Sequence, residues 1–156
     1  LCGMAHYDFR LKNGHSYEQA FNVMRRLRLP YSQAQEMFRR IVFNVVVRNQ
    51  DDHTKNISFL MDSSGQWSLS PAYDMGFAYN PLGAWTATHQ MSINGKFDNI
   101  TRADLLSLAN ANNIKNASEI IDQVCETTAG WPELAKNCGV PQKMIDGIVP
   151  HMLLSI

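Results

Sequence analysis

Residues 32–47 read SQAQEMFRRIVFNVVV, and this stretch decides the fold. Its apolar side chains recur at helical spacing and form one wide face over about four turns; they are Met37, Phe38, Ile41, Val42, Val45 and Val46. Ser32 and Gln35 stand at the spacing of a capping box, which predicts that the helix begins there. We expect this helix to lie at the centre of the core.

A polar stretch follows the helix and leads into a hairpin. Residues 48–56 (RNQDDHTKN) contain no apolar side chain. Residues 57–61 and 67–69 then alternate apolar and smaller side chains around a turn at residues 62–65, which predicts a β-hairpin over residues 57–69. The sequence Asp74-Met75-Gly76 comes shortly after it. The polar stretch is therefore a loop held between a buried helix and a hairpin.

The rest of the chain is predicted to be largely helical. A capping box at Ser16 and Gln19 predicts a helix that ends before Pro30. Further segments are predicted as a strand over residues 90–94, a helix after Thr101, a helix over residues 117–128 stopped by Gly130, and a helix after Pro141. The predicted fold is mainly α with one short hairpin, in a single domain over residues 1–156.

Composition narrows the class of protein. The chain is 45% hydrophobic and 18% charged, with a formal net charge of 0, values that exclude a disordered tail and argue against a basic nucleic-acid binder. No apolar run reaches the roughly 18 residues of a membrane span. Three widely spaced cysteines fit a reducing compartment, so we expect a cytoplasmic protein. The first residue is not Met, and we expect the chain to be the C-terminal piece of a longer protein.

The polar loop carries the residues of a phosphoryl-transfer site. Protein kinases use an Asp as base, an Asn five residues later, a hairpin, and then Asp-Phe-Gly. Asp51 and Asn56 stand at that spacing, and Asp74 opens the equivalent of the last element. The hairpin should return Asp74 to the side of Asn56, where two oxygen ligands can converge on one Mg²⁺ ion.

These residues also resemble a known family. Residues 49–56 (NQDDHTKN) followed by residues 69–74 (LSPAYD) closely resemble the HipA family of bacterial toxin kinases, and residues 1–4, 16–18 and 85–96 extend the likeness. The resemblance implies a helical kinase C-lobe that phosphorylates Ser or Thr of proteins with ATP. It implies that Asp51 is the catalytic base and that Asn56 and Asp74 hold magnesium.

The resemblance also implies partners. Members of the family are restrained by a helix-turn-helix antitoxin, and aminoacyl-tRNA synthetases are among their known targets. DNA would be contacted only through the antitoxin. The arginine clusters at residues 25–28 and 39–40 are interpreted as solvated helix faces.

One part of the family pattern is missing from this chain. None of the 9 glycines forms a Gly-x-Gly pair, and no GxxxxGK[ST] motif is present. We therefore expect the region that clamps ATP to be supplied by another segment or another chain. The chain alone is expected to lack full kinase activity.

The neighbours of the proposed base leave several roles open. Asp52 is expected to shape the loop. His53 could orient the base, touch phosphate, or make a structural hydrogen bond to a backbone carbonyl. Lys55 could meet the transferring phosphoryl group or lie at the surface. His6 and His89 have no partner at ligand spacing, which argues against a zinc site.

Two other functions remain open from the sequence. The Asp-x-His-x-x-Asn spacing of residues 51–56 also occurs in lipid kinases, so the substrate could be a lipid or another small molecule. A non-catalytic scaffold that holds an antitoxin and helps repress its operon is the third possibility. Only this third function predicts that residues 51 and 74 tolerate replacement.

Overall fold

The computed structural model describes residues 1–156 and is mainly helical. Its α-helices are α1 (Cys2–Ala5), α2 (Tyr17–Arg26), α3 (Tyr31–Val46), α4 (Arg102–Ala111), α5 (Ala117–Ala129), α6 (Trp131–Asn137) and α7 (Gln142–Ile148). The strands are β1 (His15–Ser16), β2 (Phe59–Met61), β3 (Trp67–Leu69) and β4 (Met91–Ser92). Two 3₁₀ turns cover Thr54–Asn56 and Val149–His151. The predicted fold class, mainly α with a short hairpin, is confirmed.

Helix α3 lies at the centre of the core, as the apolar pattern predicts. Ile41, Val42 and Val45 are fully buried, and α5 packs along the same helix. Burial of one such aliphatic side chain stabilises the fold by about 1.5–3 kcal/mol. The loop that follows α3 therefore starts from the best-packed element of the chain.

The predicted start of α3 is wrong. The helix begins at Tyr31 with Pro30 as its N-cap and without a side-chain capping bond. The ring of Pro30 fixes φ at −68°, and its carbonyl accepts the first helical hydrogen bonds, from Gln33 and Ala34. Ser32 thus lies inside the first turn, and its hydroxyl has no role as a cap.

Other helix boundaries agree with the sequence. Ser16 and Gln19 form the predicted capping box of α2, and Gly130 ends α5. Two short helices, α1 and α6, were not predicted. No helix combines the length and the hydropathy needed to cross a lipid bilayer.

The strands form two separate pairs. β2 and β3 form the predicted antiparallel hairpin, in which Leu60 lies opposite Ser68. β4 falls within the strand predicted over residues 90–94, but its partner is β1, in a parallel pair that aligns His15 with Met91. The parallel pair joins the start of α2 to the segment before β4, although the two are far apart in sequence.

The start of α4 contains a buried charge. Asp104 closes the predicted capping box with Thr101 and also accepts a 2.8 Å hydrogen bond from Lys96 Nζ. The Lys96 ammonium, followed by the Thr101 donors, lowers the pKa of Asp104 from its ordinary value to about 2. A carboxylate with a lowered pKa stabilises the folded state above its ordinary pKa, and that contribution is lost as the pH falls towards 2.

We predict that Asp104→Asn lowers the free energy of unfolding at pH 7 by about 1 kcal/mol, because it removes a charge from a helix N-terminus. The difference from the unmodified chain should shrink between pH 4 and pH 2, where the carboxylate of the unmodified chain becomes protonated. Urea unfolding at several pH values measures this. A difference that stays constant down to pH 2 would contradict the assignment.

Candidate functional site

The polar loop is tied at its start to the segment that follows Asp74. Arg48 ends α3 in a left-handed turn with φ 56°. Asn49 then forms a parallel bridge with Ala78, in which Ala78 N–H donates to Arg48 O and Gln50 N–H donates to Ala78 O, at 3.1 and 3.2 Å. The start of the loop and the segment that follows Asp74 therefore run side by side.

Asp52 is the buried centre of the loop. Its side chain is 1% exposed. One carboxylate oxygen, Oδ2, accepts a hydrogen bond from Tyr17 OH at 2.7 Å and lies 2.8 Å from His89 Nδ1. The other oxygen, Oδ1, accepts from the Gln90 N–H at 2.7 Å. The expectation that Asp52 shapes the loop is confirmed, because it joins the loop to α2 and to the segment before β4.

A chain of buried amides continues from Tyr17. Asn44 Nδ2 donates to Tyr17 OH at 3.0 Å, and Asn49 Nδ2 donates to Asn44 Oδ1 at 2.9 Å. The same Asn49 amide lies 3.4 Å from the carbonyl oxygen of Asp74. Burial, followed by the charge of Asp52, raises the pKa of Tyr17 well above its ordinary value, so its hydroxyl remains a donor.

Asn56 and Asp74 line the same small cavity. Its volume is about 20 Å³, which is room for about one water molecule or ion. Asn56 Nδ2 donates to the carbonyl of Asp51 at 3.0 Å, and this bond fixes the side-chain amide with its oxygen free of any hydrogen bond within the chain. The hairpin thus places Asn56 and Asp74 on the lining of one cavity, and their role as magnesium ligands stays a prediction.

Tyr73, the residue before Asp74, is held against the loop. Its hydroxyl donates to the carbonyl of Lys55 and also contacts the hydroxyl of Ser58. Asp74 itself has a left-handed backbone with φ 54°, a conformation that Asp tolerates better than most residues. The contacts of Tyr73 and the Asn49 amide near the Asp74 carbonyl therefore support this unusual backbone.

Asp51 is half-buried, and its carboxylate makes no hydrogen bond within the chain. Its backbone carbonyl is already held by Asn56, and the buried side chain of Asp52 fixes the next residue. The carboxylate of Asp51 is therefore not committed to a structural contact.

His53 and Lys55 share one support, the ring of Phe9. The His53 ring packs edge-on against Phe9 with centroids 5.7 Å apart, and Lys55 Nζ lies 3.7 Å from the Phe9 ring centroid. His53 lines the small cavity, and its buried Nδ1 has no hydrogen-bond partner. The structural hydrogen bond to a backbone carbonyl, one alternative for His53, is not formed. Lys55 is exposed and lies outside the cavity.

The donor set at the cavity suits a hard cation. Asn56 offers an amide oxygen and Asp74 a carboxylate, the ligand types that Mg²⁺ prefers. The chain has no group of three or more His, Cys, Asp or Glu side chains placed to hold a metal ion by themselves. An ion between Asn56 and Asp74 would therefore take its remaining ligands from water or from phosphate oxygens, which is common for Mg²⁺.

Several residues that build the site were not identified from the sequence. They are Phe9, Tyr17, Asn44, Asn49, Tyr73 and Gln90, with His89 considered only as a metal ligand. Asn44 did leave a signal, since it interrupts the apolar face of α3. Tyr17, Asn49 and Tyr73 lie in segments that resemble the family, but no pattern in the sequence indicated what they contact. Most of the contacts of this group join segments that are distant in sequence.

Two curated proteins are similar to this chain in sequence. "Putative kinase Y4dM" of Sinorhizobium fredii is 31% identical over 121 residues, which cover 74% of this chain and 29% of that protein. The serine/threonine-protein kinase toxin HipA of Shewanella oneidensis is 34% identical over 65 residues, covering 42% of this chain and 15% of that protein. The chain thus spans less than a third of the length of these relatives.

A solved structure shares the fold. It is a complex of Shewanella oneidensis MR-1 HipA with HipB and operator DNA, and its match has a TM-score of 0.62 at 24% identity, covering 77% of this chain and 28% of that one. The family model described as the HipA-like C-terminal domain matches residues 1–131. The chain therefore belongs to the family of HipA-like C-terminal domains.

Proposed function

We propose that this chain is the catalytic lobe of a HipA-like serine/threonine-protein kinase toxin. The observation that carries the proposal is the cavity that Asn56 and Asp74 share. The half-buried Asp51 of the same loop adds a carboxylate that makes no hydrogen bond within the chain. A kinase needs a proton acceptor and oxygen ligands for magnesium within reach of one another. Asp51 is the proposed proton acceptor, and Asn56 and Asp74 are the proposed oxygen ligands.

Asp51 is the proposed general base. The hydroxyl oxygen of a protein Ser or Thr attacks the γ-phosphorus of ATP while its proton passes to the Asp51 carboxylate. The bond from the γ-phosphorus to the bridging oxygen breaks at the same time, and ADP leaves with that electron pair. His53, with its free Nδ1 in the cavity, and Lys55, held on Phe9, are proposed to face the phosphoryl group.

Asn56 and Asp74 are the proposed holders of Mg²⁺. When bound, this ion supplies charge neutralisation for the phosphates of ATP. The hydrogen bond from Asn56 Nδ2 to Asp51 O turns the amide nitrogen towards the loop and leaves the amide oxygen for the ion. The Tyr73 contacts keep the Asp74 backbone beside it.

The activity is proposed for the chain together with an ATP-clamping region. The chain has no phosphate-binding glycine loop of its own, and it spans less than a third of the relatives that it matches. We therefore propose that another segment or polypeptide completes the nucleotide site, and that this chain alone is inactive. The proposed substrate is a protein of the cytoplasm, such as an aminoacyl-tRNA synthetase.

The proposed partner is a helix-turn-helix antitoxin of the HipB kind. The matched structure contains HipA, HipB and operator DNA, and this supports a toxin–antitoxin context. DNA would be reached only through the antitoxin. Transfer to a lipid or another small molecule would use the same residues, and substrate assays of the complete protein separate these cases.

We predict that Asp51→Asn lowers the rate of phosphate transfer by about 10²–10⁴-fold, the usual cost of losing a general base. The replacement keeps the size of the side chain, so the free energy of unfolding should change by at most about 1 kcal/mol. The measurement is transfer of labelled γ-phosphate from ATP to bacterial proteins by the complete protein that contains this chain.

Asp98→Asn is the matched control, because Asp98 is also half-buried and lies outside the proposed site. Its rate should stay within about twofold of the unmodified protein. Asp52→Asn is a poor control, because Asp52 is buried and both of its carboxylate oxygens are hydrogen-bonded. Full activity in Asp51→Asn would exclude this residue as the base and favour the scaffold function.

We predict that Asp74→Ala and Asn56→Ala each weaken the binding of magnesium–ATP at least tenfold, because each removes an oxygen ligand. Neither side chain is in the apolar core, so the melting temperature should change little. Calorimetric titration of the complete protein measures the affinity. Asp146→Ala, an exposed position on α7, is the control and should bind normally; equal affinity in Asp74→Ala would contradict the metal assignment.

A further inference from the structure

The buried hydrogen bonds between Asn49 and Asp52 all run in one direction. Asn49 donates to Asn44, Asn44 donates to Tyr17, and Tyr17 donates to Asp52, over 2.9, 3.0 and 2.7 Å. Each donor is polarised by the next acceptor, and the series ends on a carboxylate. Hydrogen bonds in such a series strengthen one another in a low-dielectric interior.

The two ends of the series lie at the two halves of the candidate site. Asn49 reaches the carbonyl oxygen of Asp74, the proposed metal ligand. Asp52 directly follows Asp51, the proposed base. The series therefore links the backbone of Asp74 to Asp52, the neighbour of Asp51. It passes through α3 and the first residue of α2.

Core packing alone does not require these polar groups. Tyr17, Asn49 and Asp52 are 2%, 3% and 2% exposed, and Asn44 interrupts an otherwise apolar face of α3. Buried polar networks are often no more stable than apolar side chains of the same shape. What a polar series provides and an apolar contact does not is a fixed direction and a fixed spacing between its ends.

The Asp74 backbone needs such support. Its left-handed φ of 54° belongs to a class of strained conformations that persist only when surrounding contacts hold them. The Asn49 amide contacts the carbonyl oxygen of Asp74. The preceding residue, Tyr73, is fixed by the hydrogen bond from its hydroxyl to the carbonyl of Lys55. Loss of the Asn49 contact would free the Asp74 peptide to rotate and move the carboxylate away from Asn56.

We propose that the series Asn49–Asn44–Tyr17–Asp52 sets the spacing between the catalytic loop and Asp74, and that Tyr17 and Asn49 are positioning residues for phosphoryl transfer. This inference rests on the proposed function. Neither residue touches the reacting atoms. Their effect is transmitted through the backbone of Asp74 and through the position of Asp52.

Tyr17→Phe is the sharpest test, because it removes one oxygen and keeps the ring that packs in the core. In the complete protein we expect the rate at saturating magnesium–ATP to fall about 10–100-fold, since displacements of about 1 Å cost up to about 10²-fold. We also expect the Mg²⁺ concentration for half-maximal rate to rise and calorimetric magnesium–ATP affinity to fall. Tyr31→Phe removes a hydroxyl that bonds only the exposed N–H of Lys115, and it should change none of these quantities.

A purely structural role would give a different result. Tyr17→Phe would then lower the melting temperature while leaving the rate per folded molecule and the Mg²⁺ dependence unchanged, and that outcome would overturn the proposal. If Tyr17→Phe does not fold, Asn49→Leu tests the same proposal from the other end of the series.

Where both single variants fold, the double variant Tyr17→Phe/Asn49→Leu tests whether they belong to one series. The second change should then lower the rate little further, because the series is already broken. Rate losses that multiply independently would contradict a single series.

The failure of the proposed function gives a separate result. An unmodified complete protein that transfers no phosphate contradicts the kinase assignment. The positioning role of the hydrogen-bond series is then tested by the magnesium–ATP affinity of Tyr17→Phe, measured by calorimetry. Unchanged affinity in that variant overturns the positioning role. An unmodified protein that neither transfers phosphate nor binds magnesium–ATP overturns both.

Discussion

The buried carboxylate of Asp52 holds three separate parts of the chain together. Tyr17 comes from the start of α2, and His89 with Gln90 comes from the segment before β4. A carboxylate in the interior is costly unless its oxygens are hydrogen-bonded, and here both are. The fold must therefore bring these three parts together for the loop to be stable, and the β1–β4 pair does so by aligning His15 with Met91.

The candidate site is a consequence of this arrangement. With Asp52 directed inwards, Asp51 lies at the loop surface with a free carboxylate, and Asn56 turns back to cap the Asp51 carbonyl. The hairpin then returns the chain to Tyr73 and Asp74 beside the loop. Two adjacent aspartates thus have different environments: Asp52 is buried and hydrogen-bonded, and Asp51 is half-buried with a free carboxylate, as the proposed base requires.

The sequence predicted the parts that depend on local patterns. The apolar period of α3, the capping boxes at Ser16 and Thr101 and the turn of the hairpin each follow from residues close together in the chain. The predicted start of α3 was wrong, because the helix begins at Tyr31 with Pro30, and not Ser32, as its N-cap. The spacing of Asp51, Asn56 and Asp74 was enough to predict that Asn56 and Asp74 lie on the same side of the hairpin, where they line one cavity.

The support of the site could not be predicted in the same way. The bonds of Asp52 to Tyr17 and His89 cross 35 and 37 residues of sequence, and no local period encodes them. The contact between the Phe9 ring and the Lys55 ammonium likewise joins the loop to the segment between α1 and β1, which has no regular apolar pattern. Such contacts depend on the parallel β1–β4 pair, whose two-residue strands are too short to give a sequence signal.

The central claim is that Asn56 and Asp74 form one cation site next to Asp51. The most direct measurement is a crystal structure of the complete protein with Mn²⁺ and a non-hydrolysable ATP analogue, in which anomalous scattering locates the ion. The account predicts an anomalous peak at about 2.0–2.3 Å from Asn56 Oδ1 and from an Asp74 carboxylate oxygen, with the γ-phosphate facing Asp51. A nucleotide-bound ion that contacts neither side chain would contradict it.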